Sequence, residues 1–207
     1  MIEAELYGGK LNLEEARLCL DFANTANWHA STHPEESLNS YFDLIGWARH
    51  VAILTDEVAQ HLQSEASRQP AAASDILLQA IDLREAIYRI FSVIAAGRPV
   101  EEADLALLNT WLAEATGRVQ VIQTPAGFTW RWRGEEQALD SMLWPVAQSA
   151  AELLISPELD QVKECDDDRG CGFLFLDTSR NRSRRWCSMQ SCGNRAKVQR
   201  HRRQQAA

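Results

Sequence analysis

The chain has 207 residues, of which 45% are hydrophobic and 24% are charged. These proportions are typical of a globular protein and exclude a disordered tail, a collagen-like fibre and a coiled-coil rod. No apolar run approaches the roughly 18 residues that a membrane helix needs, and the acidic N-terminus does not resemble a secretory signal. We therefore expect a cytoplasmic protein, in a compartment that keeps thiols reduced.

The charge is divided unevenly along the chain. The net charge is −8, from 21 basic and 29 acidic residues. Residues 178–207 hold nine Lys and Arg residues and no acid, so residues 1–177 hold 12 basic and 29 acidic residues, a net charge of −17. A basic segment on an acidic body predicts contact with a polyanion through one face of the molecule.

Hydrophobic periodicity predicts a mainly helical body. The clearest pattern is Ile76, Ala80, Leu83, Ile87, Ile90 and Ile94, at spacings of three and four. The predicted helices are residues 13–28, a helix capped by Ser37 or Asn39, one starting at Thr55 and ending before Pro70, one from Ser74 or Asp75 to Gly97, residues 101–115 and residues 135–154.

Before the last predicted helix the period changes to two. Val119 and Val121, and then Phe128, Trp130 and Trp132, alternate with polar residues on either side of residues 125–127. This pattern predicts a β-hairpin whose apolar face is covered by a helix, because a lone hairpin is marginally stable in water. The predicted body, residues 1–160, is thus mainly α with a β-hairpin, and its core lies within residues 13–155.

Four of the five cysteines lie in two close pairs near the C-terminus. Cys165 and Cys171 are separated by five residues, and Cys187 and Cys192 by four, with glycines beside Cys171 and Cys192. Such pairs suit a tetrahedral Zn²⁺ site, which is structural when all four ligands are protein thiolates. Two disulfides or four ordinary buried thiols are the alternatives. The fifth cysteine, Cys19, lies in an apolar stretch and is predicted to be an ordinary buried residue.

The same region resembles a known family. The run from Gly172 to Met189, followed by Cys192-Gly193-Asn194-Arg195, is similar to the CGNR zinc finger. Residues 18–25, 83–88 and 144–154 resemble the ABATE domain that precedes this finger. The resemblance implies a stress-induced transcription regulator with a DNA-binding finger, and one structural Zn²⁺ on Cys165, Cys171, Cys187 and Cys192. We expect residues 161–207 to form a small α+β, treble-clef-like zinc module.

The basic residues of this module are candidates for DNA contact. Residues 194–204 contain good helix formers and no breaker, so a basic helix is predicted to follow the last cysteine. Arginine pairs with phosphate and reads guanine edges, and Asn194 would contact adenine or cap the helix. The assigned residues are Arg180, Arg182, Arg184, Arg185, Asn194, Arg195, Lys197, Arg200, Arg202 and Arg203. Docking of this surface onto the acidic body is the alternative.

The body holds a second group of polar residues on an apolar background. They suggest either a buried hydrogen-bond network or a pocket for a small effector, formed by Asp21, Asn24, Thr25, Trp28 and Arg84. His29 and His33 are four residues apart, but Pro34 argues against a helical metal site. The sequence thus predicts a DNA-binding transcription regulator that is not an enzyme, whose body senses a ligand or forms a homodimer. The alternatives are an RNA-binding or protein-docking module and a small-molecule enzyme with a structural zinc tail.

Overall fold

The computed structural model describes residues 17–205, with side chains as far as Gln199. This part of the chain is mainly helical and contains three small antiparallel sheets. Its elements in chain order are α1 (Leu18–Ala23), β1 (Ala26–Asn27), β2 (Glu35–Glu36), α2 (Tyr41–His50), α3 (Asp56–Arg68), α4 (Pro70–Ala95), α5 (Glu102–Arg118), β3 (Val119–Thr124), β4 (Gly127–Trp132), α6 (Leu143–Leu154), a 3₁₀ helix (Pro157–Gln161), β5 (Val162–Glu164), β6 (Leu174–Leu176), a π-helical turn (Met189–Gly193) and α7 (Asn194–Gln205).

Helix α4 is the centre of the fold. It packs against α1, α2, α3 and α5, and also against strands β5 and β6 near the C-terminus. The predicted apolar stripe forms its buried face, because Ala80, Leu83, Ile87 and Ile90 have no exposed surface. The mainly α prediction with a hairpin and a small C-terminal module is confirmed.

Local chemistry explains where α2, α3 and α4 begin. The predicted cap Thr55 is confirmed, since its hydroxyl accepts a hydrogen bond from the Val58 amide. The cap of α2 is Ser40 and not Ser37 or Asn39. The predicted start of α4 at Ser74 or Asp75 was also wrong. The helix begins at Pro70, which fits the first helical position because it has no amide hydrogen there to leave unpaired.

Helix α1 is shorter than the predicted helix over residues 13–28. Residues 13–16 lie outside the described residues, and the helix ends at Ala23. The Thr25 hydroxyl bonds the Phe22 carbonyl, β1 then pairs with β2, and Trp28 adopts a left-handed backbone conformation with φ 54°. Side-chain bonds to the backbone thus turn the chain where hydrophobic spacing alone predicted a continuing helix.

The hairpin β3–β4 is confirmed, but the predicted helical cover reaches only its base. Trp132 packs against the core, whereas Phe128 and Trp130 are 76% and 73% exposed. Helix α5 also runs beyond its predicted end at Ala115 and through Gly117 to Arg118, whose side chain pairs with Glu114 one turn earlier.

Helix α6 begins at Leu143, eight residues after its predicted start at Glu135. Gly134 has a positive φ of 77°, and the Leu139 carbonyl accepts a hydrogen bond of 2.7 Å from the Tyr41 hydroxyl. In a continuous helix the Leu143 amide would donate to the Leu139 carbonyl, but here it donates to the Asp140 carbonyl. These contacts hold residues 133–142 mostly in turns.

The hydrophobic core extends beyond the predicted limit of residue 155. Val162 of β5 and Leu174 and Leu176 of β6 are at least 92% buried and belong to the same cluster as the residues of α1, α4 and α6. The C-terminal module therefore shares a core with the helices. Among the described residues, no helix combines the length and the apolar character needed to cross a membrane.

Candidate functional site

The four cysteines of the two predicted pairs lie together in space. Their sulfur atoms are all within 4.8 Å of one another. The Sγ atoms are 3.9 Å apart for Cys171 and Cys187, and 3.8 Å apart for Cys187 and Cys192. A tetrahedral ion with Zn–S bonds of about 2.3 Å separates its sulfur ligands by about 3.8 Å. The cluster therefore has the dimensions of a four-thiolate zinc site.

Four different segments bring these cysteines together. Cys165 follows β5, Cys171 lies in the turn before β6, Cys187 follows a basic loop, and Cys192 lies in the π-helical turn that runs directly into α7. The backbone supports the sulfurs as well, since the Cys187 amide donates to Cys165 Sγ at 3.4 Å. The last ligand thus sits at the start of the basic helix, as the treble-clef-like prediction required.

Two glycines allow the turn around Cys171 to form against the body. Gly170 and Gly172 have φ values of 84° and 67°, which L residues rarely adopt. A Cβ atom on either glycine would lie 2.6 Å from backbone atoms of Ser31 or Ala30. The metal-binding turn is therefore seated directly on the loop that follows β1.

The proton affinities of the thiols show why this donor set needs a cation. Hydrogen bonds from Cys165 and Cys187 lower the pKa of Cys171. The hydrogen bond with Cys171 in turn raises the pKa of Cys165. Thiolates this close repel one another, so all four ionise together only around a positive ion.

Comparison with known proteins agrees with this geometry. Residues 16–157 match the ABATE family, described as a putative stress-induced transcription regulator, and residues 161–205 match the CGNR zinc finger. The chain belongs to the ABATE family. No curated protein matches it. The zinc finger, hereafter the CGNR module, binds one Zn²⁺ through the four clustered cysteines.

Arg195 of the CGNR module faces the metal site and the body. Its guanidinium donates to Cys192 Sγ at 2.8 Å and to the Asp167 carboxylate at 3.1 Å. Burial would raise the pKa of Asp167, but hydrogen bonds from Arg169 and Arg195 lower it to about 2. Both arginines also stack on the Trp28 ring of the ABATE body. Arg195 therefore links zinc, module and body, whatever role it has in DNA contact.

The basic loop between β6 and Cys187 is organised around Asp177, which is fully buried. Its carboxylate accepts hydrogen bonds from the Ser179 amide, the Ser179 hydroxyl and the Arg184 amide, and pairs with Lys163 at 2.6 Å. Burial opposes ionisation, but these donors lower the pKa of Asp177 below its usual range. Lys163 also bonds the carbonyls of Arg182 and Arg184. Asp177 and Lys163 thus fix the backbone of the loop through hydrogen bonds.

The other predicted DNA contacts differ in how free their side chains are. Arg180, Arg182 and Lys197 are exposed. Arg184 bonds the Cys187 carbonyl and Arg185 pairs with Asp166. The remaining predictions concern α7. Asn194 is its first residue, and its side chain donates to the Gln190 carbonyl instead of capping the helix. Side chains 200–207, with those of Arg200, Arg202 and Arg203, lie outside the described residues.

Most of the predicted effector residues take part in internal contacts. Asn24 both donates to and accepts from the backbone of Leu174, each at 2.9 Å. The Arg84 guanidinium forms a bidentate pair with Glu36 at 2.6 and 2.7 Å, and contacts the Thr25 hydroxyl at 3.5 Å. These bonds favour the network interpretation over a pocket.

Asp21 and the two histidines complete the predicted group. Asp21 is 7% exposed, and burial raises its pKa to about 7. His29 bonds Glu85 at 2.8 Å and stacks on Tyr88, while His33 is exposed. Cys19 is fully buried as predicted, and burial raises the pKa of its thiol to about 12.

Sequence reasoning missed the acids and the lysine that organise the module. Asp167 is buried but lies in the acidic run of residues 166–168, and Asp177 is buried but is followed by Thr178 and Ser179, so both read as turn or surface charges. A usable signal was their position, because Asp167 lies two residues after Cys165 and Asp177 directly follows β6, where Asp commonly bonds the backbone two residues ahead. Lys163 gave no comparable signal, since its partners are 14 to 21 residues away.

Proposed function

We propose that this protein regulates transcription by binding duplex DNA through the exposed basic surface of its CGNR module. The observation that carries the proposal is the loop around Asp177, which presents Arg180 and Arg182 to solvent on a buried support. A loop whose backbone is already held in place loses less conformational entropy on binding. Within the same module, the zinc site would fix the position of the start of α7.

Charge separation supports a polyanionic partner. Residues 178–207 have a net charge of +9, and the remainder of the chain has −17. An acidic body repels DNA and leaves the basic segment as the binding face. Some of the basic charge serves the module itself, since Arg185 and Arg195 pair with Asp166 and Asp167. The residues that best suit phosphate contact are therefore Arg180, Arg182 and the cations of α7 that follow Arg195.

Helix α7 has the composition of an element that enters a nucleic-acid groove. Lys197 and Val198 are both exposed on it, and Arg200, Arg202 and Arg203 follow in the sequence. We assign sequence preference to the zinc-proximal turn, because a side chain must be closely positioned to read a base edge. The distal arginines would neutralise phosphates.

In this proposal the body regulates and performs no catalysis. The polar residues that suggested a pocket bind instead to the backbone of Leu174 and to Glu36. Because Asn24 and Trp28 contact the module directly, a small effector or a second subunit that moved them would act on the DNA-binding face. The reduced thiolates suit the cytoplasm.

The experiment measures binding of the zinc-loaded protein to labelled duplex DNA by fluorescence anisotropy at several salt concentrations. Arg180→Ala combined with Arg182→Ala should weaken binding to every sequence and flatten the log–log salt slope by about 1.8, at about 0.9 per phosphate contact. Zinc content should stay the same. Arg49→Ala combined with Arg68→Ala, which removes the same charge from the body, should leave the slope unchanged.

Two results would overturn the proposal. A double variant with the parent's affinity and slope would show that the loop does not touch the nucleic acid. Tighter binding to RNA than to duplex DNA would instead favour the RNA-binding alternative. In vitro selection from a random duplex pool then tests for sequence preference. A motif is enriched only if the protein contacts base edges or recognises a sequence-dependent DNA shape.

A further inference from the structure

The ABATE body has an apolar groove beside its hairpin. This hairpin groove has a volume of about 500 Å³ and lies between α5, α6 and the hairpin β3–β4. Val119 lies opposite Trp132 and Val121 opposite Trp130 in the strand register, so one face of the sheet is apolar. The main apolar lining residues are Leu112, Ala115, Val119, Trp130, Trp132 and Ile155.

The hairpin extends beyond the helices that cover its base. Trp132 packs against the core, whereas Trp130 and Phe128, on the same face of β4, are 73% and 76% exposed. Phe128 lies four residues along the strand from Trp132, which is about 13 Å at the spacing of an extended chain. The core of the same molecule is therefore too far away to cover this ring. Exposed apolar patches of this kind mark sites where another molecule binds.

The projecting hairpin and the groove beside it are complementary, and both belong to the same chain. The hairpin presents the apolar side chains of Val121, Phe128 and Trp130, and the groove presents Ile155, which is 88% exposed. A two-fold axis between two copies would pair the hairpin of each with the groove of the other, because such an axis repeats every contact. One arrangement would thus cover both apolar surfaces twice.

The charges of the two surfaces also favour this pairing. Residues 118–134 contain three arginines and no acid, although residues 1–177 as a whole have a net charge of −17. Glu152 lines the groove and accepts a hydrogen bond from Gln148, but within residues 17–199 it pairs with no Lys or Arg. Electrostatic complementarity therefore favours contact of the basic hairpin with the acidic body of another copy over contact between two hairpins.

The exposed aromatic area is large enough to contribute to a stable interface. Aromatic side chains bury about 150–250 Å² each when covered, so Phe128 and Trp130 together leave roughly 300 Å² open in each copy. Two copies supply about 600 Å², which is half of the roughly 1,200 Å² that the smallest stable interfaces bury. Val121, Ile155 and the walls of the groove are available for the other half.

We propose that two copies of this chain form a two-fold dimer, in which the hairpin of each copy lies in the hairpin groove of the other. Phe128 and Trp130 are the apolar anchors of this interface, and Ile155 is part of the surface that receives them. The inference supplies a second subunit for the proposed regulator. A dimer carries two CGNR modules, so it would contact two half-sites on DNA where a monomer contacts one.

Sedimentation velocity of the full-length, zinc-loaded protein without DNA tests this proposal. The parent should dimerise with a Kd of about 10 µM or tighter. Phe128→Ser with Trp130→Ser should raise this Kd at least about 100-fold, because buried aromatic anchors carry most of the affinity of an interface. The matched control is Gln120→Ser with Thr129→Ser on the opposite face of the same hairpin, which should change the Kd less than about threefold.

A second variant approaches the contact from the groove. Ile155 is 88% exposed, so Ile155→Ser leaves the packed core of the monomer intact. It should raise the Kd of the dimer by about tenfold. Phe42 is half exposed on α2, which does not line the groove, and Phe42→Ser should leave the Kd unchanged. Circular dichroism and zinc content should be the same in all the variants.

Three results would overturn the proposal. A parent that stays monomeric up to about 100 µM would mean that the groove binds a different partner. A dimer that neither the serine pair nor Ile155→Ser weakens would have its interface elsewhere on the molecule. Equal effects of the serine pair and its opposite-face control would show that the apolar face is not what binds. Because no DNA is present, each of these results would leave the DNA-binding proposal standing.

Discussion

The buried carboxylates of this molecule have opposite effects on its stability. Asp177 is surrounded by donors that hold the basic loop, and Asp167 joins Arg169 to Arg195 beside zinc. Asp21 is equally inaccessible, but burial dominates its environment and raises its pKa to about 7. A buried acid stabilises the fold when donors satisfy its charge and destabilises it when they do not.

Asp21 therefore makes stability depend on pH. In the unfolded chain Asp21 has its ordinary pKa of 3.8, whereas burial in the folded protein raises this pKa to about 7. Stability is accordingly lost as pH rises through this window, by up to about 4 kcal/mol in total. Asp21→Asn removes the ionisation, so its advantage over the parent in the free energy of unfolding should widen by about 2 kcal/mol between pH 5.5 and pH 8.

Urea denaturation followed by circular dichroism at the two pH values measures this difference. Taking the variant relative to the parent cancels the pH dependence of zinc binding, which is common to both. Asp75→Asn changes an exposed carboxylate on α4 and serves as the control. A constant difference between Asp21→Asn and the parent across this range would contradict a raised pKa in the folded state.

Among the elements, the turn around Cys171 has the least freedom to change. Gly170 has a φ of 84°, and a Cβ there would lie 2.6 Å from the Ser31 backbone. Gly170→Ala should therefore lower the free energy of unfolding by at least about 2 kcal/mol, since a left-handed non-glycine residue alone costs about 1–3 kcal/mol. Urea denaturation and zinc stoichiometry measure the two effects separately.

Gly46 provides a matched substitution for this prediction. It lies within α2 and a Cβ there meets nothing within 4 Å. Gly46→Ala should raise the free energy of unfolding by about 0.5–1 kcal/mol, because alanine favours the helix. If the two alanine variants had the same stability, the close approach of the turn to Ser31 would not constrain the fold.

The elements also show how far the sequence could predict this fold. The stripe on α4, the Thr55 cap, the β-hairpin and the four cysteines depend on local spacing, which is visible in the sequence. The turn after α1 and the start of α6 also depend on contacts between distant residues, such as Asn24 with Leu174 and Tyr41 with Leu139. Local patterns contain no information about such bonds.

In the candidate site, too, the sequence predicted what local spacing determines and missed what distant contacts determine. Spacing and resemblance located Cys165, Cys171, Cys187 and Cys192, because the ligands of structural zinc sites typically come in close pairs. The support of the basic loop by Lys163 and Asp177 was not visible, since β5 and β6 bring them together only after they pair. The contacts of Arg195 with Trp28 depend on the packing of the whole molecule.

At the scale of the whole molecule, the CGNR module and the helical core should unfold together. Val162, Leu174 and Leu176 lie in the main core and in or next to the segment that holds Cys165 and Cys171. Burial of each such side chain is worth about 1.5–3 kcal/mol, so loss of zinc should weaken the body by a few kcal/mol. Calorimetry of the protein before and after chelation should show one transition that moves to lower temperature.

Cys187→Ser supplies the control for this experiment. This variant should bind little zinc, unfold near the temperature of the chelated parent and respond to chelator no further. A body transition that stayed at the parent's temperature after chelation would mean that the two parts are energetically independent. Truncation after residue 160 should then give a stable body, whereas a shared core predicts a destabilised one.

The side chain of Asn24 has a consequence for protein engineering. Its amide group donates to and accepts from the Leu174 backbone, so one residue of the body occupies the place that a neighbouring strand would otherwise take. Fusing this finger to a foreign carrier would leave that edge of β6 open. Chimeras of this family should therefore be built by exchanging Asn24, Trp28 and the loop beneath Gly170 together with the finger.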